Sequence, residues 1–289
     1  MLFAGCSVPE RFVNPLFEVF DGGDLILSSW RDIEKAESDL RVYFEDASRS
    51  ADAVRALEDA LRVVGSDARV ETGELPDEDW KLAYRRHFKT ELIGRRLATV
   101  PAWEADTAEI GEDRVRIVVD PGLAFGTGRH ETTRACLEYI DEISADIGKG
   151  RSFLDMGCGS GILSIAAAKL GFADVEGFDV DQIAVDSALE NAARNGVEVR
   201  YRRFALGRKP ALAPERTYDL VAANILGPLL IRFADEICAY VRGRLVVSGI
   251  LDDIYEDVLA AYASRGFREV SRKTIGEWTT GLLEKEGGR

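Results

Sequence analysis

The chain has 289 residues, enough for two domains at about 150 residues each. Hydrophobic residues make up 46% and charged residues 30%, the balance of a globular protein rather than a disordered one, and no run approaches the roughly 18 apolar residues that span a bilayer. Acids outnumber bases 51 to 37 for a net charge of −14, the opposite sign to a general nucleic-acid binder, which must neutralise phosphates.

The first hundred residues read as a small α+β unit. Residues 41–45 alternate like a strand. Residues 50–64 form an amphipathic helix, with Val54, Leu57, Leu61 and Val64 recurring at three- and four-residue steps, and residues 68–72 form a second strand. Residues 74–79 carry turn chemistry, with Asp77 a good N-cap for a short helix starting near Asp79. Lys81, Arg85, Arg86, Lys89, Arg95 and Arg96 then crowd into one segment beside His87. A solvated connector face explains them most simply; a positive strip facing a partner is the alternative. The division expected is a substrate-recognition unit over 1–76, a connector over 77–104 and a larger domain over 105–289.

From Arg114 onward strands and helices alternate. Strands are expected at 115–119, 152–156, 175–180, 197–202, 218–223 and 244–248, and helices at 132–143, 161–170, 183–195, 228–240 and 252–264. Two last strands at 268–274 and 279–285 are close enough to pair as a hairpin. Strands separated by helices of this length imply a parallel sheet with right-handed crossovers. Cys6, Cys136, Cys158 and Cys238 lie too far apart for a zinc site or a disulfide framework, which suits a reducing cytosol. The opening Met1–Cys6 resembles a lipoprotein cleavage box but lacks the basic start and apolar stretch of an export signal.

The sharpest signal is Leu154-Asp155-Met156-Gly157-Cys158-Gly159-Ser160-Gly161-Ile162, which leaves a buried strand and opens a helix. Alternate glycines let backbone approach a ligand, and the helix start offers unpaired N–H groups. The dinucleotide fingerprint needs a glycine where Ile162 stands, so a nicotinamide or flavin enzyme is disfavoured. An acid followed by Gly-x-Gly-x-Gly resembles the S-adenosylmethionine loop of methyltransferases instead. The next strand ends in Gly177-Phe178-Asp179-Val180-Asp181; Asp179 is placed to accept two ribose hydroxyls, while Asp181 suits the N-cap of the following helix. Asn224, at the end of residues 218–224, sits where open α/β sheets bind ligands, although an asparagine there can equally close a strand.

Residues 120–133, Asp120-Pro-Gly-Leu-Ala-Phe-Gly-Thr-Gly-Arg-His130-Glu131-Thr132-Thr133, form a second signature. With the motifs above, with Asp79-Trp80, Phe88 and Gly177–Gly196, and with Ser248-Gly249-Ile250-Leu251, it resembles the ribosomal protein methyltransferases that modify large-subunit protein eleven (the PrmA type) over most of residues 77–289. That resemblance implies a seven-stranded, mostly parallel Rossmann-like sheet and a smaller ferredoxin-like α+β domain whose first strand and helix are abbreviated. It implies S-adenosyl-L-methionine as cofactor, a large-subunit ribosomal protein as substrate, and methylation of lysine side chains and an N-terminal amine in the cytoplasm. Neither stable nucleic-acid binding nor a membrane is expected. Cofactor contact is implied for Thr133, Gly157, Asp179 and Asn224, with Asp155, Gly159 and Gly161 as further candidates from the loop. Asn224 is the candidate for orienting the amine. His130 is a candidate base, with a loop-ordering hydrogen bond the simpler role, and no metal is called for. Arg129 and Glu131 stand where the family usually has Thr and Pro, and the loop after Asn224 is one residue shorter. The competing readings are methylation of another protein lysine or small amine, and a non-catalytic S-adenosylmethionine-binding protein.

Overall fold

The computed structural model describes residues 2–20, 27–32, 37–44, 46–74, 89–120, 130–147, 150–207 and 216–287. The expected turn from residue 75 on, the short helix expected from near Asp79, His87, and loop residues 121–129 lie outside the described residues. The chain divides into two compact units, Met1–His87 and Phe88–Arg289.

The first unit runs β1 (Leu2–Pro9), α1 (Val13–Phe20), β2 (Leu27–Asp32), β3 (Glu37–Phe44), α2 (Ser50–Val64) and β4 (Glu71–Glu74), with sheet order β2-β3-β1-β4. This is a ferredoxin-like βαββαβ arrangement. Its first strand and helix are each eight residues long. Small residues hide β1 from a propensity reading: Ala4, Cys6 and Val8 point into the core, and Gly5 lies between them. Pro15 stands in the first turn of α1, where a missing N–H costs nothing. In α2 the buried stripe is Ala53, Leu57, Ala60 and Leu61, and Gly65 closes the helix at φ 73° with its N–H bonded to Arg62 and Leu61 carbonyls.

In the second unit, the segment expected as connector is built into the domain. β5 (Glu91–Ile93) and β6 (Leu97–Pro101) join β7 (Val115–Val119) in a three-stranded sheet. β6 is buried throughout. Arg96 is partly exposed but ion-paired: its Nε donates to the buried Asp141 carboxylate at 2.8 Å, and the same carboxylate accepts the Arg95 N–H at 2.7 Å. A desolvated acid, invisible in the local sequence, draws the basic turn inward.

The main sheet has seven strands in the order β10-β9-β8-β11-β12-β14-β13. These are β8 (Ser152–Met156), β9 (Asp174–Asp179), β10 (Arg200–Arg203), β11 (Tyr218–Asn224), β12 (Val241–Leu251), β13 (Phe267–Ile275) and β14 (Trp278–Lys285). Neighbours from β10 through β12 are parallel, and β14 runs antiparallel to both β12 and β13. The helices are α3 (Glu131–Ile147), α4 (Ile162–Lys169), α5 (Gln182–Arg194), α6 (Gly227–Arg232), α7 (Ala234–Tyr240) and α8 (Tyr255–Ala263). The helix expected over 228–240 is broken at Phe233, whose backbone leaves the helical region at φ −104°, ψ 16°. Two apolar cores flank the sheet. One gathers Leu137, Phe153 and Ile165; the other gathers Leu154, Val221 and Tyr262. Chain order reverses between β8 and β11, the place where such sheets open a crevice at the carboxyl ends of their strands.

Candidate active site at the carboxyl edge of the sheet

The loop from β8 to α4 is folded by its backbone. The N–H groups of Gly157 and Cys158 both donate to the Phe178 carbonyl at 2.9 Å, tying the loop to the end of β9. Gly157 has φ 74°, and a Cβ on it would meet the Ile225 side chain at 2.6 Å. At the end of β9, Asp179 accepts the Gly159 N–H at 2.9 Å through one carboxylate oxygen and the Asp181 N–H at 3.1 Å through the other. Asp181 caps α5, accepting the Ile183 N–H at 2.9 Å.

Gly157, Gly159, Asp179 and Asn224 line one cleft of about 370 Å³. Its remaining walls are Phe178, Val180, Phe204, Ala205, Leu206, Ile225, Leu229 and Phe233. Phe178 and Phe204 meet edge to face with ring centroids 5.2 Å apart. The cleft therefore pairs an apolar slot with one carboxylate and one amide, the combination that binds a flat ring carrying a polar sugar. Residues 204–206 and Phe233 were missed by sequence reasoning. Residues 204–206 follow an edge strand of four charged or aromatic residues, Arg200–Arg203, and the β10–β9 pairing brings them beside Asp179, while Phe233 comes from the break between α6 and α7.

Two loop candidates do not line the cleft. Gly161, at φ 78°, is the N-cap of α4, and a Cβ there would meet Tyr201 Oη at 2.5 Å and Ala188 Cβ at 2.9 Å, so it faces the protein interior. Asp155 is 1% exposed and turns beneath the loop. Its Oδ2 accepts the Ser164 N–H at 3.1 Å and the Ser164 hydroxyl at 2.6 Å, while its Oδ1 has no hydrogen-bond partner among the described residues. Burial pushes its pKa up to about 7; the Ser164 hydrogen bonds oppose the rise and the charge of Asp179 adds to it. Strand alternation explains the placement, because Asp155 shares a face with Phe153, away from the cleft.

Thr133, in the first turn of α3, is 1% exposed, and its hydroxyl has no partner among the described residues. A buried hydroxyl without a partner costs free energy unless a ligand supplies one. His130 stands just before α3. Its Nδ1 lies 2.8 Å from the Thr132 hydroxyl and 3.4 Å from the Thr132 N–H, and its ring meets Trp278 edge-on at 5.2 Å. That is the geometry of a helix-start residue. A shallower groove of about 480 Å³ lies in the first unit among Arg11, Phe12, Pro15, Val19, Val63 and Val64, without converging polar groups. Among the described residues no group of His, Cys, Asp and Glu could hold a metal, and no helix is long and apolar enough to cross a membrane.

A family model described as ribosomal protein L11 methyltransferase (PrmA) matches residues 24–286. Two relatives named ribosomal protein L11 methyltransferase are similar over most of their length. One, from Geobacter sulfurreducens, is 39% identical over 86% of this chain and 82% of its own. The other, from Caldanaerobacter subterraneus, is 34% identical over 88% of this chain and 82% of its own. The crystal structure of a ribosomal protein L11 methylase from Lactobacillus delbrueckii superposes with a TM-score of 0.61 at 30% identity, covering 69% of this chain and all of that one.

Proposed function

The chain belongs to the ribosomal protein L11 methyltransferase (PrmA) family and is an S-adenosylmethionine-dependent protein methyltransferase, and on that premise we propose that the cleft holds the cofactor and that the acceptors are amines of ribosomal protein L11. The supporting observation is the convergence of Gly157, Asp179 and Asn224 at the carboxyl ends of β8, β9 and β11, lined by an apolar slot.

The residues present fit this cofactor. Asp179 keeps lone pairs beyond those used by the Gly159 and Asp181 N–H groups, enough to accept two ribose hydroxyls. Phe178, Phe204 and Leu206 would flank the adenine, and the buried Thr133 hydroxyl would partner the amino-acid end. The cofactor supplies a methyl group on a sulfonium as electrophile, so the chain's task is orientation and exclusion of water. Asn224 would accept an N–H of the incoming amine through its side-chain carbonyl and leave the nitrogen lone pair free. A lysine amine costs about 4–5 kcal/mol to deprotonate at pH 7. The apolar rim of Ile225 and Leu229 lowers that cost by disfavouring the charged form. No dedicated base is needed in this scheme. Lysine side chains and the N-terminal amine are the target groups, recognised by the first unit, in the cytosol; the four cysteines, all free and buried, suit that reducing compartment.

The decisive assay incubates the protein with purified L11 and methyl-labelled S-adenosylmethionine and locates the label by mass spectrometry. Label on L11 lysines and its N-terminus supports the proposal. Label confined to a different protein in a ribosome-free lysate would replace the substrate while leaving the chemistry intact.

A further inference from the structure

Ser248 lies in β12, outside the lining of the cleft. It is register partner to Asn224 on the adjacent parallel strand, so the two side chains leave the same face side by side. Pairing of β12 with β14 shifts between Val247 and Ile250, and within that bulge Gly249 has φ 80° and is pressed so close to Ile225 that a Cβ would lie 2.5 Å from its carbonyl oxygen. Bulges re-aim side chains beside active sites. Here the bulge leaves Ser248 fully buried, with its Oγ 3.3 Å from the Thr132 carbonyl and 2.6 Å from the Thr280 hydroxyl.

A serine hydroxyl has a single proton. Ser248 gives it to the Thr132 carbonyl, so the Thr280 hydroxyl must donate to Ser248. The result is a directed relay from β14 through β12 into the first turn of α3, joining residues 116 apart in the chain. The residue after Thr132 is Thr133, whose buried hydroxyl has no partner among the described residues. We propose that Ser248 is a positioning residue for methyl transfer: acting through the Thr132 carbonyl, it fixes Thr133 in α3 relative to Asn224 in β11. The inference rests on the cofactor roles given above to Thr133 and Asn224. It adds the physical link that keeps their spacing constant, which neither residue supplies alone.

The test is a double-mutant cycle on the full chain, read by calorimetric titration with S-adenosylhomocysteine alongside thermal unfolding. Ser248→Ala should weaken binding about ten-fold and Thr133→Ala by a similar factor, while the double variant binds no worse than Thr133→Ala alone, because Ser248 acts through Thr133. Losses that multiply in the double variant would overturn the proposal. So would a Ser248→Ala protein that melts earlier yet binds as wild type, the mark of a merely structural hydroxyl. If Ser248→Ala does not fold, Thr280→Val removes the donor at nearly constant volume, and a few-fold weakening that disappears in the Thr133→Ala background is the expected result. Failure of the wild type to bind would instead overturn the proposed function, a distinct outcome.

Discussion

Asp179 and Gly159 are joined by a 2.9 Å hydrogen bond from backbone N–H to carboxylate, so the group proposed to take the ribose also fixes the loop beneath it. Asp179→Ala should therefore lose twice. The ribose loses its acceptor, and the loop loses its clamp. A hydrogen bond to a charged group contributes about 1.5–3 kcal/mol, which predicts S-adenosylmethionine binding weakened ten- to a hundred-fold in calorimetric titration. Unchanged affinity would remove Asp179 from the site.

Asp155 predicts a pH effect of definite sign. Its folded pKa, about 7, lies above its ordinary value of 3.8. The folded state therefore holds the proton more tightly than the unfolded state. The stability associated with that proton is fully present below pH 4 and is lost as pH rises through 7. Above pH 7 the buried charge costs about 4 kcal/mol. Asp155→Asn should be less stable than wild type, or equal to it, at pH 4, and should gain on it steadily up to pH 8 in urea unfolding. A wild-type-minus-variant difference that does not change with pH would refute this.

Gly161→Ala should destabilise the fold. The new methyl group would need φ near 78° and would lie 2.5 Å from Tyr201 Oη and 2.9 Å from the Cβ of buried Ala188. Left-handed strain and overpacking together cost about 3 kcal/mol, a fall in melting temperature of roughly 5–10 °C. Gly157→Ala carries the same left-handed strain at φ 74° but meets a single atom, the Ile225 Cγ2 methyl that lines the cleft, so it should lower the melting temperature less than Gly161→Ala and weaken cofactor affinity more.

His130→Gln should retain turnover, with the same pH profile of kcat as wild type. The Nδ1 contact to Thr132 and the ring against Trp278 are local ordering contacts at the start of α3. Loss of a helix-start contact costs about 1 kcal/mol of stability. A lost or shifted limb in the pH profile would restore His130 as a base.

Local rules made much of the fold legible. Helix α2 begins and ends at the residues its apolar spacing indicates, because Gly65 closes it in a conformation other residues resist. The Gly-rich loop and Asp179 were readable for the same reason: strand, turn and helix follow one another in adjacent sequence. What sequence could not supply was the assignment of faces and neighbours. Asp155 looks like a ligand until strand alternation turns it under the loop, and Arg96 looks solvated until α3 presents Asp141. Phe204 and Leu206 acquire meaning only from the lateral pairing of β10 with β9. β1 and α1 were obscured by small residues and a proline whose positions are harmless in three dimensions.

The placement of β14 between β12 and β13 sets an order of assembly. Vectorial synthesis delivers Asp179, Asn224 and Ser248 long before residues 278–285, yet Thr280, the donor to Ser248, arrives with that late strand. A nascent polypeptide can thus carry every side chain proposed to face the cofactor while α3 still lacks its brace. Catalytic competence should switch on in a single event, when the inserted hairpin closes the sheet.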